Sequence, residues 1–169
     1  AAINDTNFSR LREESFFCVN SSAWTPPEDW FDSGFSTVIT NFTYMAAAVS
    51  QTSFAGIAFD AEAYHYNCWH YPTQKYSATK TLEQYKTKVR LRGQELAAAI
   101  ETACPGRDFI MLFMFANSQP YISTDWWGHP LSEDNYALLP AFIDGLLDGA
   151  SGSIKIIDGI ELKVRILGN

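Results

Sequence analysis

Two carboxylates, Asp60 and Glu62, stand directly after an apolar run and are well suited to acid–base chemistry. The run, 54–59, is typical of a buried strand, and residues two apart in an extended chain point to the same face. Ala58, two residues earlier, is small and leaves space beside them. Two adjacent carboxyl groups cannot both ionise freely, so one is expected to keep its proton while the other is charged. Such a pair can protonate a leaving group, as glycoside hydrolysis requires, with Glu62 as general acid/base and Asp60 orienting it.

Polar residues also follow the other predicted strands. Ligands of parallel α/β folds bind at the carboxyl ends of the strands. Asn20 and Ser21 follow the first predicted strand, Asn117 the third and Asp158 the fourth. We therefore predict that Asn20 and Asn117 bind substrate and that Asp158 is a further catalytic carboxylate.

Aromatic residues are concentrated in the two long loops that follow the second and third predicted strands. Flat aromatic faces stack on sugar rings, although large rings of this kind also pack loops onto a domain. The predicted sugar-binding residues in these loops are Tyr64, His65, Trp69, Trp126 and Trp127.

A metal site is a weaker reading of the first of these loops. Asp60 and Glu62 together with His65 and His70 could bind a divalent ion, as in a metal-dependent hydrolase. Their spacing matches no standard metal signature, and we predict no metal and no cofactor.

Strands and helices alternate along the chain in the order β-α-β-α-β-α-β. The predicted strands lie near 15–19, 54–59, 109–115 and 154–157, and the predicted helices near 34–50, 81–103 and 139–147. This alternation favours a parallel sheet with right-handed crossovers. Four strands are half of a (β/α)8 barrel, and an open doubly wound sheet is the alternative. We expect residues 1–12 to form a tail, 13–169 one α/β domain, and 160–169 an extra strand within it.

The composition excludes several classes of function. The 169 residues include 12 Lys and Arg against 19 Asp and Glu, a net charge of −7, which argues against nucleic acid or an anionic membrane as partner. No apolar run approaches the roughly 20 residues that cross a bilayer. Glycine-rich phosphate-binding motifs and the G-x-S-x-G elbow are absent from the sequence.

The three cysteines, 18, 68 and 104, are expected to be buried or half-buried free thiols.

The segment Gly56-Ile57-Ala58-Phe59-Asp60-Ala61-Glu62 resembles the D-G-x-D-x-D-x-E signature of chitinase-type glycosidases. Asp60 and Glu62 stand at its last two acidic positions, whereas Ala55 and Ala58 replace the first two. The resemblance implies a barrel strand that ends in the active site. It also implies that an acetamido group of the substrate could act as nucleophile.

The chain also resembles uncharacterised bacterial glycoside-hydrolase-like (β/α)-barrel proteins over roughly residues 5 to 159. The resemblance is carried by 20–22 with 29–32, by 56–62, 69–71, 89–93 and 157–159. It implies a barrel fold, with this chain truncated relative to the family.

Three functions follow as hypotheses. The first is a glycoside-hydrolase-like, carbohydrate-active domain that acts on an oligosaccharide or glycan. The alternative is a non-catalytic carbohydrate-binding or remnant module, and the metal-dependent hydrolase is the weaker third. Half of a barrel has two open sheet edges, so we also predict a homodimer in which a second copy covers them.

Overall fold

The computed structural model describes residues 15–21, 29–64, 66–112 and 130–159. The strands are β1 (Phe16–Asn20), β2 (Gly56–Asp60), β3 (Asp108–Leu112) and β4 (Lys155–Gly159), and the helices are α1 (Phe35–Ser50), α2 (Leu82–Ala103) and α3 (Leu139–Gly149). Single 3-10 turns lie at Tyr71–Thr73 and Leu131–Glu133. The predicted alternation of strands and helices is confirmed. The predicted tail (1–12), the extra strand (160–169) and the end of the third strand (113–115) lie outside the described residues.

The four strands form one parallel sheet in the order β1-β2-β3-β4. The predicted α/β class is therefore confirmed, and a partial barrel and a doubly wound sheet both contain such a sheet. Among the described strands the order does not reverse, as it does at the switch point of a doubly wound sheet, and an arc of a barrel has this sequential order.

The two faces of the sheet differ in burial. Phe59 contacts Phe42 of α1 and Phe142 of α3, with ring centroids 5.8 and 6.2 Å apart, so its face is the one on which the helices pack. Ile57, Phe109 and Met111 share that face and are buried. The opposite face, which we call the open face, carries Cys18, Ala58, Asp60, Ile110, Leu112 and Ile157, all at least partly exposed.

The helices begin and pack as their sequences predict. Thr81 and Gln84 form a capping box at the start of α2, which satisfies two backbone N–H groups there. Pro140 lies in the first turn of α3, where its missing N–H costs no hydrogen bond. Helices α2 and α3 touch through glycines: a Cβ on Gly93 would lie 2.4 Å from the Phe142 carbonyl oxygen, and one on Gly145 would lie 2.0 Å from that of Arg90.

The turn before β4 is held by a carboxylate on α2. Glu101 accepts hydrogen bonds from the backbone N–H groups of Ser151, Ser153 and Ile154, at 2.6 to 3.1 Å. The Ser151 N–H foremost, then the hydroxyl and N–H of Ser153, lower the pKa of Glu101 to about 2. The charge of Glu101 therefore fixes the entry of the chain into β4.

Two further carboxylates, Asp29 and Asp32, join the turn before α1 to the loop before α2. We call Asp29, Asp32, Lys75, Tyr76 and Tyr85 the loop cluster. Asp29 is 1% exposed and accepts hydrogen bonds from the Tyr85 hydroxyl (2.7 Å) and the Lys75 and Phe31 N–H groups. Asp32 accepts from Lys75 Nζ (2.9 Å) and the Tyr76 hydroxyl (2.7 Å), and these bonds lower the pKa of Asp32.

All three cysteines are free, and Cys68 and Cys104 are buried as predicted. The prediction is wrong for Cys18, which is exposed because it lies on the open face of β1. No described helix is both long and apolar enough to cross a bilayer.

Candidate functional site

The carboxyl ends of β1 and β2 bring Asn20, Asp60 and Glu62 together. Strand pairing places Asn20 opposite Asp60, and the Asn20 amide donates a hydrogen bond of 2.8 Å to Asp60 Oδ2. Asp60 Oδ1 accepts the backbone N–H of Glu62 at 2.9 Å, so the Asp60 side chain closes a short turn over residues 60–62. With Tyr64, these three residues form what we call the carboxylate site.

The turn that carries Glu62 is also held from β1. Asn20 Nδ2 lies 3.1 Å from the Glu62 carbonyl oxygen, so the amide group that holds Asp60 also holds the Glu62 backbone. Ser21, which is buried, donates to the same carbonyl oxygen at 3.0 Å. The amide nitrogen of Asn20 thus forms its hydrogen bonds to Asp60 and Glu62 within the protein, and these bonds position the two acidic residues.

Glu62 presents its carboxylate to a phenol. The Tyr64 hydroxyl donates to Glu62 Oε2 at 2.6 Å, within the range of a charge-assisted hydrogen bond. Glu62 is half-buried, and Tyr64 is 60% exposed. Within the described part of the chain, neither Asp60 nor Glu62 forms an ion pair with Lys or Arg. A half-buried carboxylate without a cation beside it can exchange a proton with a bound molecule.

Tyr136 is a further residue beside this site, and no sequence pattern indicates it. Its hydroxyl oxygen accepts the backbone N–H of Ala63 at 3.4 Å. Burial raises the pKa of Tyr136, and the charges of Glu62 and Asp60 raise it further, so this phenol lies within the electrostatic reach of both carboxylates. Tyr136 lies 74 residues after Glu62 in the chain. No local pattern connects Tyr136 with the turn after β2, so only the fold could reveal its contact with Ala63.

Trp69 is a core residue, which corrects its predicted place among the sugar-binding residues. Its side chain is 0% exposed, and its indole N–H donates to the Ala61 carbonyl oxygen at 2.7 Å. Its ring packs beside those of Trp30 and Phe142, with centroids 5.5 and 5.2 Å away. Trp69 supports the turn after β2 from the core, and its ring is not exposed for contact with a sugar.

The placement of Asp158 also differs from the prediction. It pairs in register with Met111, which pairs with Phe59, and residues paired in this way share a face of the sheet. Asp158 therefore belongs to the helix-packed face, whereas Asp60 belongs to the open face. Its Oδ1 atom is buried and has no hydrogen-bond partner among the described residues. We predicted a strand that ended before Asp158, but β4 includes it, and the alternation of side chains turns it away from Asp60.

The remaining predicted site residues, His65, Asn117, Trp126 and Trp127, lie outside the described residues. Within the described ranges, no group of three or more His, Cys, Asp or Glu side chains could hold a metal ion. The metal-dependent hydrolase stays the weaker hypothesis, since His65 lies outside the described residues, and metal analysis of the purified protein tests it.

Comparison with known proteins adds no relative. No family model, curated protein or solved structure matches this chain.

Proposed function

We propose that the protein is a glycoside-hydrolase-like, carbohydrate-active domain whose general acid/base is Glu62. The observation that carries the proposal is the pairing of a fixed carboxylate with an accessible one at the end of a parallel strand. Asp60 accepts donors on both oxygens, whereas Glu62 is half-buried with a single phenol hydrogen bond on its carboxylate in the described part of the chain. The carboxyl end of the strands is where parallel α/β folds bind their ligands.

The chemistry follows from these positions. Protonated Glu62 donates its proton to the glycosidic oxygen as the bond to the anomeric carbon breaks, and the electron pair of that bond stays with the leaving oxygen. Positive charge then develops on the sugar ring, and the carboxylate of Asp60 stabilises it. Glu62, now charged, takes a proton from the water that completes hydrolysis.

The nucleophile distinguishes two routes. A second carboxylate would have to lie on the open face, and Asp158 belongs to the other face. An acetamido group on the substrate needs no such residue, because its carbonyl oxygen attacks the anomeric carbon of its own ring. We therefore propose an N-acetylated glycan as substrate, with His65, Asn117, Trp126 and Trp127 as further contacts.

The substitution Glu62→Gln tests the proposal. We expect the hydrolysis of an N-acetylglucosamine oligosaccharide to fall by roughly 10²- to 10⁴-fold, because the proton donor is lost. The hydrolysis of a dinitrophenyl glycoside should fall by a smaller factor, since its leaving group departs without a proton. The far-ultraviolet circular dichroism should stay unchanged.

Glu83→Gln is the matched control, because Glu83 is an exposed carboxylate in the first turn of α2. It should leave both rates unaltered. Full oligosaccharide turnover in Glu62→Gln would remove Glu62 from its proposed role.

A carbohydrate-binding module without turnover is the second candidate. It is favoured by the position of Asp158, which leaves the described part of the open face with one acidic pair. Thermal unfolding in the presence of chitin and other oligosaccharides separates the two functions. A rise in melting temperature without hydrolysis indicates binding alone, and no rise indicates a remnant.

The predicted partner is a second copy of this chain. We predict that this copy covers the open edges of the sheet, and Ile110 and Ile157, which are partly exposed on the open face, offer it apolar surface. Light scattering at several concentrations tests this prediction. We expect the mass of a dimer, and a monomer at high concentration would contradict it.

A further inference from the structure

The connection before α3 lies against the turn that carries Glu62. The N–H of Leu138 donates to the Trp69 carbonyl oxygen at 3.0 Å, and the N–H of Ala63 donates to the Tyr136 hydroxyl. Trp69 in turn donates its indole N–H to the Ala61 carbonyl oxygen. Trp69 and Tyr136, which follow β2 in the chain, thus hold the turn at residues 61–63 in addition to Asn20 and Ser21.

Tyr136 itself is firmly oriented. Its backbone N–H donates to Asp134 Oδ1 at 2.6 Å, and its carbonyl oxygen accepts the N–H of Leu139 in the first turn of α3. The side chain is half-buried and packs against the hydrophobic core. The backbone that carries this phenol is therefore fixed by the turn that leads into α3, and its ring is held by the core.

We propose that Tyr136 is a positioning residue for Glu62: its phenol oxygen holds the Ala63 amide and so fixes the turn that presents the Glu62 carboxylate to a ligand. This inference rests on the proposed role of Glu62. Burial, with the charges of the two nearby carboxylates, raises the pKa of Tyr136 and favours its neutral phenol. The oxygen of that neutral phenol accepts the Ala63 N–H.

A double-mutant cycle with Tyr136→Phe and Glu62→Gln tests the proposal. In the wild-type background, Tyr136→Phe should lower kcat for an N-acetylglucosamine oligosaccharide roughly 10-fold, with KM changed less than about twofold, because a displaced acid slows the chemical step. In the Glu62→Gln background it should cause no further loss, since no acid remains to be positioned. Equal losses in the two backgrounds, or no loss in either, would overturn the proposal.

Tyr71→Phe is the matched control. Tyr71 is also a half-buried tyrosine, and its hydroxyl donates to the carbonyl oxygens of Ser77 and Lys80 in the loop before α2. Its substitution should leave kcat unchanged. A loss equal to that of Tyr136→Phe would show a general effect of removing a hydroxyl group and would overturn the proposal.

A readout without turnover separates this inference from the proposed function. With tyrosine labelled at the ring carbon that bears the hydroxyl, the Tyr136 resonance should change its position in Glu62→Gln, because the charge of Glu62 acts on this phenol. The Ala63 amide resonance should in turn move in Tyr136→Phe, because its N–H loses the phenol oxygen as acceptor. If both occur in a protein that hydrolyses no glycan, the enzyme proposal fails while the link between Tyr136 and Glu62 stands. If neither occurs, the positioning role is overturned whatever the activity.

Discussion

In the part of the chain that the structure describes, two groups of carboxylates are bonded to tyrosine hydroxyl groups, and they differ in their access to solvent. In the loop cluster, Asp29 is 1% exposed and accepts three hydrogen bonds from Tyr85, Lys75 and Phe31. In the carboxylate site, Glu62 is half-buried, and its bonded phenol, Tyr64, is 60% exposed. The same pair of chemical groups therefore serves folding in one place and is open to a ligand in the other.

The difference separates acids that stabilise the fold from acids that a ligand can reach. A buried charge is tolerated where donors saturate it, as they do at Asp29, because desolvation would otherwise cost several kcal/mol. A carboxylate at the surface needs no such saturation, and one that is half-buried keeps capacity to bind. The comparison predicts opposite results for substitutions in the two groups: a loss of stability in the loop cluster and a loss of activity in the carboxylate site.

The largest effect on stability is expected for Asp29→Ala. The substitution leaves the Tyr85 hydroxyl and the Lys75 and Phe31 N–H groups without their acceptor, at a cost of about 3 kcal/mol in the free energy of unfolding. Denaturant unfolding measures this cost. A loss below about 1 kcal/mol would mean that the loop cluster contributes no more than an ordinary surface carboxylate.

Tyr85→Phe should cost roughly 1.5 kcal/mol at neutral pH, since it leaves Asp29 buried with one donor fewer. It should also change the alkaline limb of the stability curve. Burial, with the bond to Asp29, raises the pKa of Tyr85 well above its usual value, so the folded state favours the neutral phenol. That stability is present in full below about pH 10 and is lost as the pH rises further.

In Tyr85→Phe the decline of unfolding free energy above about pH 10 should therefore be shallower, by up to about 1.4 kcal/mol per pH unit. Unfolding curves collected across that range measure the slope. Identical slopes in the two proteins would contradict the assignment of this phenol to the buried cluster.

The carboxylate site should show a smaller effect on stability. Asp60→Ala removes the acceptor of the Asn20 amide and the Glu62 N–H at a half-exposed position, where water can replace it, so we expect a loss of about 1 kcal/mol. The loss of catalysis or of glycan binding, expressed as a free energy, should be much larger than this loss of unfolding free energy, because the turn that presents Glu62 loosens. Denaturant unfolding paired with the oligosaccharide assay tests both halves of this prediction.

The smallest effect is expected for Tyr64→Phe, with a change in unfolding free energy within about 0.5 kcal/mol, because the hydroxyl is at the surface. A loss of unfolding free energy as large as that of Asp29→Ala would contradict the distinction between the two groups of carboxylates. The Asp29→Ala protein, measured under the same conditions, provides the scale.

Much of the fold was predictable because its signals are local. The apolar runs and helical spacings at 35–50 and 82–103 contain enough information to place the elements, and their alternation predicts a parallel sheet. Asp60 and Glu62 were predictable for the same reason, since both stand in one short segment at a strand end. The bonding of Asn20 to both of them was not predictable, because the register of β1 on β2 brings them together.

The failures share a physical cause. Asp158 was assigned to the site because strand boundaries from sequence are uncertain by a few residues, and a single residue reverses the face of a side chain. Trp69 was assigned to a sugar surface because an aromatic residue in a loop has the same pattern whether its ring points outward or folds inward. Its burial against Phe142 depends on α3, which lies some 70 residues further along the chain.

The sequence by itself determined the secondary structure, the parallel α/β class and the pair of acidic residues at the end of β2. These depend on composition and spacing within short windows, where backbone geometry dictates which side chains share a face. Tertiary structure alone decided which acids are saturated and which are accessible, that Tyr136 reaches Ala63, and that Asp158 turns away from Asp60. Those outcomes depend on strand register and on contacts between distant segments, and they are set by the packing of the whole core.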